Sequence, residues 1–214
     1  MRHAALALVL LAFLVASQPS LHSEVVPGTA EDFLARGIAA FDNDDIGTAI
    51  EEFTKAIDLK PDLEDAYFRR GMAYLRLQSY DSAISDFSWL ISKSVNDPRY
   101  LFWRATAYFH QDNMTSALVD INRALDNDKD YGLGWGLKGD ILFRKGDHQG
   151  AVAAYDRALA IMGFDLDYSF NRVKALVMSG SYELAVKGCD EIIAKSPDFS
   201  DRSEEHTSEL QSRQ

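Results

Sequence analysis

The side chains that most often carry out chemistry are few and scattered in this sequence. None of the five histidines has the His-Glu-x-x-His spacing of a zinc hydrolase, and His110 and His148 are predicted to lie in turns. The single cysteine, Cys189, takes the place of an aromatic or aliphatic residue in a repeated pattern, so we expect a buried, unreactive thiol. The sequence therefore predicts no catalytic site, no metal site and no cofactor, and we interpret the protein as a non-enzyme.

One glycine-rich stretch could suggest a phosphate-binding loop. It reads GLGWGLKGD from Gly132. A phosphate loop of this kind follows a β-strand, and no strand is predicted before this stretch. Its position in the repeat places it at the start of a helix. We interpret its glycines as linker residues.

A more regular chemical feature is a ladder of basic residues, one every 34 positions: Arg36, Arg70, Arg104, Lys138 and Arg172. A ladder of cations could bind an anionic ligand. The first three members also have acidic residues 16 positions later, namely Glu52, Asp86 and Asp120, which predicts ion pairs between two helices. We favour this structural interpretation. Lys138 and Arg172 lack such an acid and need other partners or water.

The ladder belongs to a repeat that spans most of the chain. Five windows of 34 residues align without gaps, over 30–63, 64–97, 98–131, 132–165 and 166–199. The twentieth position is always alanine, and the eighth is glycine or alanine until Val173. Apolar positions recur at helical spacing twice per window, which predicts two antiparallel helices. We expect the small residue at the eighth position to meet the alanine at the twentieth, and the fifth window to pack least well.

The segment AYFRRGMAYLRLQSYDSAISDF, Ala66–Phe87, resembles the tetratricopeptide repeat family, and Pro61 matches the proline that the family places between repeats. The resemblance implies an all-α fold, a right-handed superhelical solenoid of about five helix-turn-helix repeats. It also implies a concave groove, lined by the first helix of each repeat, that binds extended peptides or partner helices. Leu34 and Ile38 stand where some members clamp a carboxylate with lysine and asparagine, so that use is disfavoured.

The groove-facing positions of this chain are rich in aromatic residues with a few cations. The predicted partner-binding residues are Phe68, Met72, Arg76, Phe102, Phe109, His110, Phe143, Arg144 and Phe170. Such a surface suits a hydrophobic peptide with acidic flanks. The alternative is that these aromatic residues only pack between neighbouring first helices.

Charge and the N-terminus bear on the partner and the compartment. A formal net charge of −11 argues against nucleic acid as a partner, because that affinity comes mainly from basic residues on phosphates. The start, MRHAALALVLLAFLVASQPS, has the pattern of a signal peptide over residues 1–17, cleaved after Ser17 and continued by a linker over 18–29. The sequence predicts a periplasmic or secreted protein without a membrane span after cleavage.

The polar end of the chain, residues 200–214, is predicted to be a non-native or disordered tail. Residues 202–212 can be encoded by a codon string that resembles a common short-read sequencing adapter. We therefore expect that the natural gene continues beyond this point.

Three hypotheses for function remain open at this level. The first is a protein–protein interaction module that binds a peptide or partner helix in the aromatic groove, in the cell envelope. The alternative is the targeting or scaffold region of an envelope enzyme whose catalytic domain is missing. The third is a scaffold that self-associates through its exposed end repeat.

Overall fold

The described part of the chain is a row of helical hairpins. The computed structural model describes residues 28–196; the predicted signal peptide, most of the predicted linker and the tail lie outside it. All regular secondary structure in this range is helical, with bounds α1 Ala30–Asp42, α2 Ile46–Leu59, α3 Glu64–Arg76, α4 Tyr80–Lys93, α5 Pro98–His110, α6 Met114–Asn127, α7 Gly132–Arg144, α8 His148–Met162, α9 Leu166–Met178 and α10 Tyr182–Lys195.

The helices keep the 34-residue register of the sequence. Each odd-numbered helix begins at the first residue of a window and each even-numbered helix at the seventeenth. The turn inside each hairpin places the fifteenth residue in the left-handed region, with φ between 58° and 82°, at Asp44, Gln78, Asp112, Gly146 and Gly180. Every hairpin therefore reverses direction at the same point of its repeat.

Consecutive hairpins stack into a superhelix. Odd-numbered helices of successive repeats contact one another, whereas within residues 28–196 successive even-numbered helices do not. The odd-numbered first helices are therefore closer together and form the inner layer, and the second helices form the outer layer.

In repeats one, two and four, the core of the hairpin is an aromatic ring packed on the glycine at the eighth position. A Cβ atom on Gly37 would lie 2.5 Å from the ring of Phe53, and one on Gly139 would lie 2.5 Å from the ring of Tyr155. The alanines at the twentieth position are buried. In these hairpins the small residue at the eighth position makes room for the ring at the twenty-fourth position, one helical turn beyond the alanine.

The glycines of GLGWGLKGD are not linker residues, contrary to the sequence interpretation. Gly132, Gly134, Gly136 and Gly139 all lie inside α7 and are buried. Each faces a large neighbouring side chain; a Cβ atom on Gly136 would lie 2.2 Å from the ring of Tyr168, which belongs to the next repeat. Large side chains of neighbouring segments therefore fill the space that the glycines of α7 leave empty.

The basic ladder forms the predicted ion pairs. Arg36 Nε lies 3.2 Å from Glu52 Oε2. Arg104 donates two hydrogen bonds to the carboxylate of Asp120, at 2.7 and 2.8 Å, and Arg70 pairs with its acid in the same way. These carboxylates are almost fully buried.

The two ladder members without an acid in their own repeat find other partners. Lys138 lies over the ring of Trp135, 5.1 Å from its centre. Arg172 binds Asp156 in the preceding repeat.

In the fifth hairpin, the face between α9 and α10 is buried, whereas the opposite face of α10 is exposed. Val173, Leu176, Ala185 and Ile192 are buried between α9 and α10. The prediction that Cys189 is buried is wrong, because the thiol is exposed. In the earlier repeats the equivalent residue is covered by the next first helix, and within the described residues no helix comes after α10.

Candidate partner-binding groove

The inner face of the first helices carries most of the predicted binding residues. Phe109 and Phe143 are half-buried, whereas the Phe170 side chain is 48% exposed. Phe109 in α5 and Phe143 in α7 are the twelfth residues of their repeats, whereas Phe170 in α9 is the fifth residue of its repeat, two helical turns away along the same face. They form a discontinuous apolar surface that is partly exposed to solvent.

Two other predicted residues pack mainly against the protein itself. Phe102 is only 9% exposed and contacts the rings of Trp103 and Tyr131. Phe68 is half-buried, with its ring 5.9 Å from that of Tyr100 in the next repeat. For Phe102 the packing interpretation therefore describes its contacts better than the binding interpretation.

The cations predicted for the groove are exposed but already paired. Arg76 Nη2 lies 3.3 Å from Asp44, and Arg144 Nη2 lies 2.6 Å from Asp112. Both acids are the left-handed turn residues of the preceding repeat. His110 instead stacks on Tyr80, at 5.7 Å between ring centres. Because exposed ion pairs contribute little, these two contacts hold Arg76 and Arg144 only weakly.

At the N-terminal end of the groove lies an apolar pocket. It has a volume of about 160 Å³ and is lined by Phe41, Phe53, Phe68, Arg69 and Met72. The predicted binding residue Met72 is half-buried here. This pocket could accept one aliphatic side chain.

The pocket between repeats three, four and five has a different chemistry. Its volume is about 130 Å³, and it is lined by Phe109, Asp140, Phe143, Arg144, Tyr155, Asn171 and Lys174. Two phenylalanine rings supply apolar wall, while a carboxylate, an amide, a guanidinium and an ammonium supply polar contacts. We call this the mixed pocket.

Asp140 is the polar centre of the mixed pocket. Its Oδ1 accepts a hydrogen bond of 2.6 Å from the Tyr155 hydroxyl and one of 3.3 Å from the Asn171 amide. Burial raises the pKa of Asp140, and these two hydrogen bonds oppose the rise. Burial also raises the pKa of nearby Tyr168 to about 12, so its hydroxyl stays protonated. The pocket therefore holds one carboxylate that is partly desolvated and lacks a direct cationic partner among the described residues.

Sequence reasoning missed Asp140, Tyr155, Asn171 and Lys174 as site residues. A signal was present, since Asp140 and Lys174 occupy a stripe position that is Ile38 and Met72 in the first two repeats. A charged residue on an otherwise apolar stripe marks a polar site. The contribution of Tyr155 could not be found from the stripe, because this tyrosine comes from the second helix.

Known protein families and relatives match the repeated part of this sequence. The family model described as "Tetratricopeptide repeat" matches residues 69–132 and 120–165, and the model described as "TPR repeat" matches residues 37–78. The chain belongs to the tetratricopeptide repeat (TPR) family. Among curated proteins, this TPR chain is 39% identical over 61 residues to "TPR repeat-containing thioredoxin TTL4" of Arabidopsis thaliana. That match covers 28% of the chain and 9% of the relative.

Solved TPR structures share the fold of this chain at low sequence identity. MamA is 17% identical with a TM-score of 0.71, covering 80% of this chain and 94% of MamA. YrrB, described as a TPR protein with an unusual peptide-binding site, is 17% identical with a TM-score of 0.63, covering 78% and 86%. TTC0263 of Thermus thermophilus is 16% identical with a TM-score of 0.64, covering 85% and 99%.

Residues 28–196 contain neither a cluster of metal ligands nor a helix that could span a membrane. No group of three or more histidine, cysteine, aspartate or glutamate side chains in this range is placed to hold a metal ion. Across the same stretch, no helix combines the length and the apolar character needed to cross a bilayer. The TPR fold supports a role in protein–protein interaction.

Proposed function

We propose that this TPR protein is a non-catalytic binding module that holds an extended peptide or a partner helix along the groove of its first helices. The observation that carries the proposal is the mixed pocket, where Phe109 and Phe143 flank the carboxylate of Asp140. Tyr155 and Asn171 both donate to Oδ1 of this partly desolvated carboxylate, which leaves Oδ2 to accept a hydrogen bond from a ligand.

The groove offers anchors of two chemistries. The apolar pocket at the N-terminal end suits an aliphatic side chain of the ligand, and the mixed pocket suits a polar side chain or a peptide N–H. Arg144 and Lys174 at the rim favour nearby acidic residues of the ligand. The fold shared with YrrB, whose description names a peptide-binding site, supports a peptide as the ligand class.

We place this function in the cell envelope. The support is the N-terminal sequence, whose basic start and short apolar run have the pattern of an export signal. A fusion of residues 1–29 to a reporter that is active only outside the cytoplasm tests this placement. Reporter activity that persists when the apolar run is interrupted by two lysines would argue against export by this segment.

Selection of peptides from a displayed random library provides the direct test of the groove. The Phe109→Ala, Phe143→Ala double variant should weaken binding of the selected peptides by roughly 30-fold, because buried aromatic anchors contribute about 2 kcal/mol or more. Val119→Ala is the matched control, since Val119 is 56% exposed on the outer helix α6. Unchanged affinity in a double variant that retains its helical content would refute the groove.

A second candidate is a targeting region attached to an envelope enzyme. The observation that favours it is the curated relative, a TPR repeat-containing thioredoxin of which this chain matches 9%. An antibody against the solenoid decides between the two candidates in cell extracts. A native polypeptide much larger than 23.9 kDa supports the enzyme, and one near that mass supports the stand-alone module.

A further inference from the structure

The polar groups of the mixed pocket restrict the kind of ligand side chain that it can hold. Phe109 and Phe143 supply its apolar walls, and Asp140, Asn171 and Lys174 are among its polar residues. A side chain that displaces water here has to give these groups hydrogen bonds, because an unpaired polar group away from water costs free energy. The bonds that the pocket already makes therefore show which bonds are left for a ligand.

Asp140 has one oxygen left as an acceptor. The Tyr155 hydroxyl and the Asn171 amide both donate to its Oδ1, at 2.6 and 3.3 Å. Within residues 28–196 no hydrogen bond reaches its Oδ2. The ligand group that lies against Asp140 should therefore be a hydrogen-bond donor.

Lys174 supplies the matching donor. Its Nζ donates a 3.3 Å hydrogen bond to Asn171 Oδ1, and an ammonium carries three N–H groups, so further donors remain. The Asn171 amide thus lies between a carboxylate and an ammonium, donating to Asp140 and accepting from Lys174. The pocket already holds one primary amide in this way and keeps an acceptor and donors for a second.

Ionised side chains fit this pocket poorly. A ligand carboxylate would face the carboxylate of Asp140. A ligand cation would face Lys174 and Arg144, and the Arg144 guanidinium already lies over the Phe109 ring, 5.4 Å from its centre. Because like charges repel strongly in a partly desolvated site, the pocket favours a neutral group that both donates and accepts. A primary amide does so at two adjacent atoms, as Asn171 does.

From this complementarity we propose that the mixed pocket recognises the side-chain amide of a glutamine or asparagine in the bound peptide. The amide N–H donates to Asp140 Oδ2, and the amide oxygen accepts from Lys174 Nζ. The residues equivalent to Asp140 in the first three repeats are Ile38, Met72 and Thr106, and none of them carries a carboxylate. The amide is therefore selected at one point of the groove. This inference rests on the proposed function and adds the residue that the peptide must carry.

Peptides selected by the full chain from a displayed random library provide the first test. Glutamine or asparagine should recur at one fixed position of the selected sequences. In synthetic copies of one such peptide, replacing this residue by glutamate, lysine or leucine should weaken binding by about tenfold or more, because each change loses a hydrogen bond or introduces a like charge.

Asp140→Asn is the deciding variant. It keeps the volume of the side chain and an oxygen for Tyr155, and its Nδ2 replaces the free acceptor by a donor. The glutamate peptide should then bind at least as tightly as the glutamine peptide. Asp126→Asn is the matched control: Asp126 is exposed on the outer helix α6, and the same change of charge there should keep the preference for glutamine. Circular dichroism checks that both variants keep the helical content of the parent chain.

The possible outcomes separate this inference from the groove itself. The inference is overturned if the selected peptides share no amide residue, if glutamate or lysine replaces it without loss of affinity, or if Asp140→Asn keeps the preference of the parent. The groove still stands in those cases when the Phe109→Ala, Phe143→Ala double variant weakens binding. A library without binders, or binders that the double variant holds equally well, refutes both.

Discussion

Repeats three and four have the same two-helix architecture, but different residues fill their cores. The first helix of repeat three supplies large side chains itself, whereas that of repeat four depends on side chains of neighbouring helices. In repeat three the first helix brings its own bulk, with Leu101 and Phe102 buried and Arg104 bound to a buried acid. In repeat four the first helix carries four buried glycines, and neighbouring elements fill the space. Isolated α7 has poor helix propensity, since each glycine costs about 1 kcal/mol relative to alanine. The comparison shows that the same helical hairpin can be packed either by large side chains of its own first helix or by large side chains of the neighbouring helices.

The largest expected effect comes from breaking the polar anchor of repeat three. Asp120→Ala leaves the Arg104 guanidinium, which is 17% exposed, without its bidentate partner. Removing one member of a buried pair should lower the free energy of unfolding by about 3 kcal/mol. Urea denaturation of the variant and the parent measures the loss. A loss below about 1 kcal/mol, the range of exposed pairs, would mean that water reaches the guanidinium and that the anchor is not a buried one.

Filling a glycine of repeat four should also destabilise the protein, against helix propensity. In Gly139→Ala the new Cβ atom would lie 2.5 Å from the buried ring of Tyr155. We expect a loss of about 1–3 kcal/mol from overpacking. Gly47→Ala is the matched control, because no atom lies within 4 Å of its added Cβ, and it should gain about 0.5–1 kcal/mol. Equal gains in both variants would show that the ring over Gly139 moves freely.

The mixed pocket predicts a pH-dependent effect of intermediate size. Tyr155→Phe removes the 2.6 Å hydrogen bond to Asp140 and should cost about 1–2 kcal/mol at pH 7. Burial raises the pKa of Asp140, while this hydrogen bond to the ionised carboxylate opposes the rise. The contribution of the bond is therefore present above the folded-state pKa and is lost as the pH falls through it.

Denaturation of the parent and Tyr155→Phe proteins at a series of pH values measures this dependence. The difference between them should shrink as the pH falls through the raised pKa of Asp140 toward the ordinary aspartate range near ~4. A difference that is constant across this range would assign the cost to packing of the ring and not to the carboxylate.

The smallest expected effect is at the ion pair that joins repeats four and five. Asp156 binds Arg172, but the Asp156 side chain is 50% exposed. Asp156→Ala should therefore cost less than about 1 kcal/mol, as exposed ion pairs do, and the cost should fall further in high salt. A cost equal to that of Asp120→Ala would remove the contrast between the buried pair of repeat three and the more exposed pair of Asp156 and Arg172.

The sequence predicted those features that depend on a single repeat. The helical register and the pairs of Arg36, Arg70 and Arg104 with acids 16 residues later are local to one hairpin, so periodicity reveals them. Two features that depend on two repeats were missed. The ring of Tyr168 over Gly136 joins adjacent hairpins, and the exposure of Cys189 depends on whether another helix covers α10. Aligning one repeat with the other four shows which positions recur, but it does not show which residues of adjacent repeats contact each other.

The left-handed residue at the fifteenth position has a consequence for how such a chain can change in length. Because the chain reverses at the same residue in every hairpin, a duplicated or deleted block of 34 residues leaves the neighbouring turns in register. An insertion of any other size inside a hairpin would shift the αL position onto a residue that tolerates it poorly. We therefore expect this protein to gain or lose length in evolution by whole repeats of 34 residues, each of which would lengthen or shorten the inner face by one helix.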